Sequence, residues 1–305
     1  MAAEALRLGA RMHIEAVPVE RDLLGESPVW DHRIGALYWA DQLGRKVRRY
    51  HPATGELHEW SMPRELGCVA LTSDVNTLLV AQPDSYELLS LESGASHTLV
   101  TIPQPRPGVR LNDGRCDRLG HLIGGSVTTD GGSAAGAIWR IAADGSTQVL
   151  RKDMVIVNAI CCNPAGNILY YADSRGGLLY RRSYDPSGAG IAAEVELVDV
   201  RPFGGTPDGA TVDAEGAIWM ALIMPGKIMR FLADGTLDRE IRMPAPHVSS
   251  LAFGGENFDT LYVTTVRETG MLISTNHSEA GKVFAITGLG VCGVPEGIFA
   301  LNGRH

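Results

Sequence analysis

A chain of 305 residues that is 45% apolar and 20% charged carries enough apolar surface for a sizeable core. A net charge of −8 argues against nucleic acid or an anionic membrane surface as partner, and no apolar run approaches the roughly 18 residues of a membrane-spanning helix. The five cysteines, odd in number and with Cys161 and Cys162 adjacent, do not read as a disulfide framework. With no signal-like apolar core near the N-terminus, the expected location is the reducing cytoplasm.

Strand-like runs recur along the chain. GALYWAD, NTLLVAQ, GHLIGGS, GNILYYAD, GAIWMAL and DTLYVTT begin at positions 35, 76, 120, 166, 216 and 259, a spacing of about 45 residues. After each comes a second strand and turn: KVRRYHPATG (46–55), ELLSLESG (87–94), AIWRIAADG (137–145), LLYRRSYDPSG (178–188), KIMRFLADG (227–235) and KVFAITG (282–288). Before each comes a short apolar segment: SPVW, VAL, GRC, AIC, ATV and SLAF. Short runs of β-branched and aromatic residues punctuated by Gly, Asp, Asn and Pro are strands, and no stretch sustains a helical period. Six such units predict an all-β, six-bladed β-propeller with four-stranded blades, in preference to a solenoid, whose ends would stay open. Residues 1–305 then form one domain, and the run near 13–19 supplies the outer strand of the last blade and closes the ring.

The repeats also align polar residues. Asn112, Asn158 and Asp208 each stand eight residues before the turn glycine of their repeat (Gly120, Gly166, Gly216), and Glu26 stands nine before Gly35. The matching places in the other two units hold Cys68 and Ser249 or Ser250. One such Asp or Asn is explained by turn chemistry alone. Four in register, each at the start of an innermost strand, predict a ring of oxygen donors at one mouth of the central channel. Hard oxygen ligands suit Ca²⁺, Mg²⁺ or Mn²⁺ better than Zn²⁺.

The segments GESPVW, RLNDGRCD, VNAI, YYADS, TPDGATVDAEGAIW and LYVTT, in this order between about residues 15 and 290, resemble the gluconolactonase, regucalcin and luciferin-regenerating enzyme family. The resemblance implies one divalent cation, Ca²⁺ before Mg²⁺, Mn²⁺ or Zn²⁺, held by Glu26, Asn158 and Asp208. It implies substrate contacts from Arg110 and Asn112, with Asp130 as a further contact to sugar hydroxyls. It also implies metal-dependent hydrolysis of a sugar-acid lactone, in which Asp208 is the catalytic group that orients or deprotonates water. The sequence departs from the family at Val157-Asn158-Ala159, where Asn-Gly is usual, which predicts a small change in turn geometry.

Two rival readings are a calcium-binding regulatory propeller without catalysis and an interaction propeller. Within the enzyme class, a non-sugar ester or phosphotriester is the alternative substrate. The expected partner is a small sugar lactone, with neither nucleic acid nor membrane, for a monomer or small homo-oligomer. Asp173 and Asp213 are expected in turns, and His247, near the sixth inner strand, is the histidine of most interest. Arg48-Arg49 and Arg181-Arg182 are expected to be solvated, and Trp30, Trp39, Trp139 and Trp219 to pack between blades. Gly288–Gly293 matches Gly-x-Gly-x-x-Gly, but too few residues follow for a dinucleotide-binding unit. The loops 128–136 and 224–227 are expected to shape the choice of lactone.

Overall fold

A computed structural model describes residues 11–130, 132–185, 194–270 and 272–301. The described residues form 24 strands in six antiparallel sheets of four. Blade 1 is β2 (Gly25–Asp31), β3 (Ala36–Asp41), β4 (Lys46–His51) and β5 (Glu56–Ser61); blade 2 is β6 (Val69–Leu71), β7 (Thr77–Ala81), β8 (Ser85–Ser90) and β9 (Ser96–Thr101). Blade 3 is β10 (Val109–Cys116), β11 (Leu122–Thr128), β12 (Gly136–Ile141) and β13 (Thr147–Met154); blade 4 is β14 (Val157–Cys162), β15 (Ile168–Asp173), β16 (Leu178–Ser183) and β17 (Val195–Asp199). Blade 5 is β18 (Pro207–Val212), β19 (Ile218–Leu222), β20 (Lys227–Phe231) and β21 (Leu237–Arg242). Blade 6 is β22 (Val248–Gly254), β23 (Thr260–Thr265), β24 (Phe284–Thr287) and, from the other end of the chain, β1 (His13–Ala16). His13 pairs with Thr287 and Ala16 with Phe284, so an N-terminal strand completes the final sheet. Each innermost strand packs on those of its two neighbours, β22 against β2 included, and the ring is closed. The fold is the six-bladed β-propeller that the repeats predict. The expected turn at 186–188 lies outside the described residues.

The core lies between blades. Trp30 stacks on Tyr262 across blades 1 and 6, with ring centroids 5.5 Å apart. Trp219 meets Phe253 edge-on at 5.7 Å across blades 5 and 6, a geometry favoured by the aromatic quadrupole. Trp39 and Trp139 fill the wedges between blades 1 and 6 and blades 2 and 3. Middle strands such as β3 are buried on both faces because each blade is covered on both sides, whereas the outer strand β9 is largely exposed.

Arg48 departs from the sequence expectation. It is buried, lying 3.1 Å from Asp22 and 2.8 Å from Glu59 and donating to the Glu20 carbonyl. Asp22 in turn accepts the Trp39 indole N–H at 2.9 Å. A guanidinium beneath the N-terminal segment serves as a buried counter-charge rather than a solvated group. Arg181 and Arg182 are half-buried and bridge to neighbouring blades through the Ala233 and Leu150 carbonyls. Gly288 and Gly290 occupy left-handed turns after β24, with no helix behind them among the described residues.

Residues 292–301 cross the end of the channel where the inner strands finish. The Ala214 N–H donates to the Cys292 carbonyl, the Phe299 N–H to Leu71 and the Ala300 N–H to Gly120. Glu296 reaches inward to Arg115 at 2.5 Å and accepts the Thr211 hydroxyl at 3.1 Å. The inner strands begin at the opposite mouth of the channel.

Candidate active site at the channel mouth

Inner strands project side chains into the channel mouth because most of them are bulged there. Register shifts fall between Glu26 and Val29, Leu111 and Gly114, Asn158 and Cys161, Pro207 and Ala210, and Val248 and Ser250. A bulge sets two residues against one, bends the strand and re-aims a side chain. Glu26, Asn112, Asn158 and Asp208 all lie at or beside such a bulge. Ser27 and Ala159, immediately after Glu26 and Asn158, take φ of +52° and +57°. Non-glycine residues enter this left-handed region at a cost of about 1–2 kcal/mol, and such strain concentrates at functional sites. At Ala159 the chain takes a left-handed turn of the kind a glycine favours, with an alanine in it.

The predicted residues largely converge. Asn112 Nδ2 donates to Asn158 Oδ1 at 2.9 Å and to the Val157 carbonyl at 3.1 Å. Asn158 Nδ2 donates to Ser174 Oγ at 2.9 Å. Arg110 spends one nitrogen on the Leu111 carbonyl at 3.0 Å and a longer contact to Asn112 Oδ1; its guanidinium faces Glu65 and Glu26. Glu26, Arg110 and Asn112 retain partial exposure, while Asn158 and Asp208 are buried.

Electrostatics tie the carboxylates together. Burial, then the Asp113 carboxylate, push the Glu26 carboxyl well above its usual range, against a backbone hydrogen bond from Ser27 and the charge of Arg110. Burial, then Glu26 and Asp113, push Asp208 in the same direction. Burial and neighbouring like charges both disfavour ionisation of these carboxyls, a cost that a bound cation would relieve. Two carboxylates and a carboxamide oxygen are a donor set that fits a hard divalent cation. Among the described residues no three His, Cys, Asp or Glu side chains form a metal-holding group, so a site here depends on Asn158 as well as on the two carboxylates.

Asp130 stands apart. Its carboxylate is held by Arg106 and by the Gly132 N–H at 2.9 Å on the exposed rim, and none of its hydrogen-bond partners belongs to the ring. The hydrogen bond from Arg106 holds its pKa below the usual range. The His247 ring contacts the Ile223 carbonyl at 3.4 Å. Asp173, the last residue of β15, and Asp213, just after β18, each head a turn: Asp173 accepts Val155 N–H at 2.9 Å, and Asp213 accepts the Ala217 N–H and the Trp219 indole.

Sequence reasoning left Asp113, Ser174, Arg115 and Glu296 without roles. Asp113 and Ser174 lie inside the quoted segments RLNDGRCD and YYADS, directly beside residues that were singled out. Glu296 had no such signal, because its position depends on where the last residues cross the channel. Among the described residues no helix is long and apolar enough to cross a membrane.

Residues 24–267 match the family model described as the SMP-30/Gluconolactonase/LRE-like region. The chain is 31% identical over 288 residues to a 6-deoxy-6-sulfogluconolactonase of Pseudomonas putida, covering 94% of this chain and 98% of that protein. It is 34% identical over 257 residues to an L-arabinolactonase of Azospirillum brasilense, covering 81% and 82%. A crystal structure of a calcium-binding protein, regucalcin, from Agrobacterium tumefaciens superposes with a TM-score of 0.86 at 28% identity, covering 93% and 96%. With the family model matched over most of the chain and these relatives over most of their length, the chain belongs to the SMP-30/gluconolactonase/LRE-like family.

Proposed function

We propose that the protein is a metal-dependent hydrolase of a sugar-acid lactone, an aldonolactone such as gluconolactone or a 6-substituted relative. The observation that carries this reading is that Glu26 and Asp208 interact across blades 1 and 5 with Arg110 beside Glu26, while Asn158 stands at the matching bulge of the inner strand packed on that of Asp208. Relatives named for glucono- and arabinolactone hydrolysis support the substrate class. The calcium-binding regucalcin neighbour supports Ca²⁺ as the cation.

Glu26, Asn158 and Asp208 would hold the cation. When bound, it polarises the lactone carbonyl and stabilises charge developing on that oxygen. Arg110 donates to ring hydroxyls or to the emerging carboxylate, and Asn112 extends this contact while bracing Asn158. Asp208 takes a proton from the attacking water through its second oxygen. The water oxygen bonds to the carbonyl carbon, the ring C–O bond breaks, and the proton passes to the leaving alkoxide, giving the hydroxy acid. On the rim, Asp130, paired with Arg106, is the proposed contact to a substituent of the sugar. Five free cysteines, four of them buried, support a reducing cytoplasmic compartment.

A regulatory cation store is the rival reading, but a guanidinium facing the ligands favours chemistry, since it opposes cation binding and serves an anionic product. The test is acid release, followed with a pH indicator, from glucono-, arabinono- and 6-sulfogluconolactone by protein that has been chelated and then reloaded with Ca²⁺, Mg²⁺, Mn²⁺ or Zn²⁺. Metal-restored hydrolysis of at least one lactone is the expected result. Rates equal to the enzyme-free control on every lactone and with every metal would overturn the proposal.

A further inference from the structure

The bulge that aims Asn158 is held from outside its own blade. Ala159 is fully buried with φ +57°, and the ladder between β14 and β15 is broken at Ala159 and Ile160. The Ile160 N–H leaves its own sheet and donates to Asp113 Oδ2 of blade 3 at 3.0 Å. The other oxygen of this carboxylate accepts the Gly114 N–H at 2.8 Å, which fixes the carboxylate to its own strand. One residue earlier, Asn112 grips the Val157 carbonyl and Asn158 Oδ1. Adjacent residues of β10 therefore clasp the bulge on both sides, and Ser174 Oγ occupies the amide nitrogen of Asn158.

The other ligand-bearing strands carry the same register shift but are held differently. After Glu26, the left-handed Ser27 secures itself: its Oγ accepts the Val69 N–H at 3.0 Å and donates to the Val69 carbonyl at 3.3 Å. After Asp208 comes Gly209, where an added Cβ would lie 2.0 Å from Ser250 Oγ. Gly209 answers a lack of space rather than a left-handed φ, whereas Ala159 is left-handed with no polar group of its own, so in blade 4 the restraint has to come from elsewhere.

We infer that Asp113 is a positioning residue that pins the left-handed Ala159–Ile160 bulge through the Ile160 N–H and so directs Asn158 at the cation, an inference that rests on the cation-site reading above. Asp113 acts through the backbone of the next blade rather than as a ligand. Two amides demand both of its oxygens, so asparagine, with one acceptor and a donor NH₂, satisfies only one of them.

The test is calorimetric titration of Ca²⁺ into chelated wild type, Asp113→Ala, Asp113→Asn, Ala159→Gly and the double variants that combine each Asp113 change with Ala159→Gly. Groups that orient a ligand typically change metal affinity by about 10–100-fold when removed, which is the loss expected for Asp113→Ala. Glycine at 159 relaxes the bulge without its pin, so Ala159→Gly should recover about threefold or more of that loss, the coupling expected of groups in contact. If Asp113→Ala does not fold, Asp113→Asn with and without Ala159→Gly makes the same comparison. Unchanged affinity on removing Asp113 would overturn the inference. Equal losses for Asp113→Ala and Asp113→Asn with no recovery from Ala159→Gly would also overturn it, because Asp113 would then act through its charge. A wild type that gives no Ca²⁺ heat would instead overturn the cation-site reading, and the inference with it.

Discussion

Glu296→Ala should be among the most destabilising single changes in the protein. The Glu296 and Arg115 side chains are only 9% and 8% exposed and lie 2.5 Å apart inside the channel. Removing one partner of a buried pair costs about 3–5 kcal/mol, because the remaining charge is stranded. Arg115 keeps the Leu251 carbonyl at 3.2 Å and faces Asp113, which offsets part of that loss. The estimate therefore falls at the lower end, about 3 kcal/mol. Glu296→Gln keeps an acceptor for Arg115 and Thr211 but loses the charge, and should cost about 1–2 kcal/mol, the difference between charged and neutral hydrogen bonds. Equilibrium urea unfolding followed by tryptophan fluorescence measures both. The order wild type, Gln, Ala in midpoint, at unchanged slope, is expected. An alanine variant within about 0.5 kcal/mol of wild type, the range of ordinary surface changes, would show that the C-terminal plug does not hold the channel as described.

Two further outcomes follow from the packing. Cys68, Cys116, Cys161 and Cys162 are buried, and burial pushes their thiols up, Cys162 to about 12, so only the thiolate-poor but exposed Cys292 should react with a thiol reagent in the native state. One reactive thiol per chain before denaturation and five after it is the expected count; more than one native thiol would contradict the packing around the inner strands. Ser27→Ala removes both contacts to Val69 and keeps a side chain in the left-handed region, so it should destabilise by about 1–3 kcal/mol, the cost of a buried backbone amide left unpaired. Unfolding at the wild-type urea midpoint would count against Ser27 as a tie between blades.

The architecture was legible because it is local and repeated. Each blade states its strands in a few residues, and the turn glycines set a common origin from which Glu26, Asn112, Asn158 and Asp208 fall into register. What escaped the sequence depends on contacts between distant parts. Arg48 reads as a surface residue until Asp22, from the N-terminal segment, is laid beside it. Glu296 gains meaning only once residues 292–301 are seen to turn back across the channel. Asp113 stood next to a predicted contact, but its role requires knowing that the Ile160 N–H leaves its own sheet. Loop position points to Asp130 as a contact to sugar hydroxyls, but nothing in the sequence signals that Arg106 engages its carboxylate on the rim.

The most direct test of the central claim is anomalous diffraction from crystals equilibrated with Mn²⁺, a hard cation that accepts the same oxygen ligands as Ca²⁺. The account predicts one strong peak within about 2.6 Å of carboxylate oxygens of Glu26 and Asp208 and the carboxamide oxygen of Asn158. A saturating soak that leaves this mouth without a peak, or places the peak elsewhere on the protein, would contradict it.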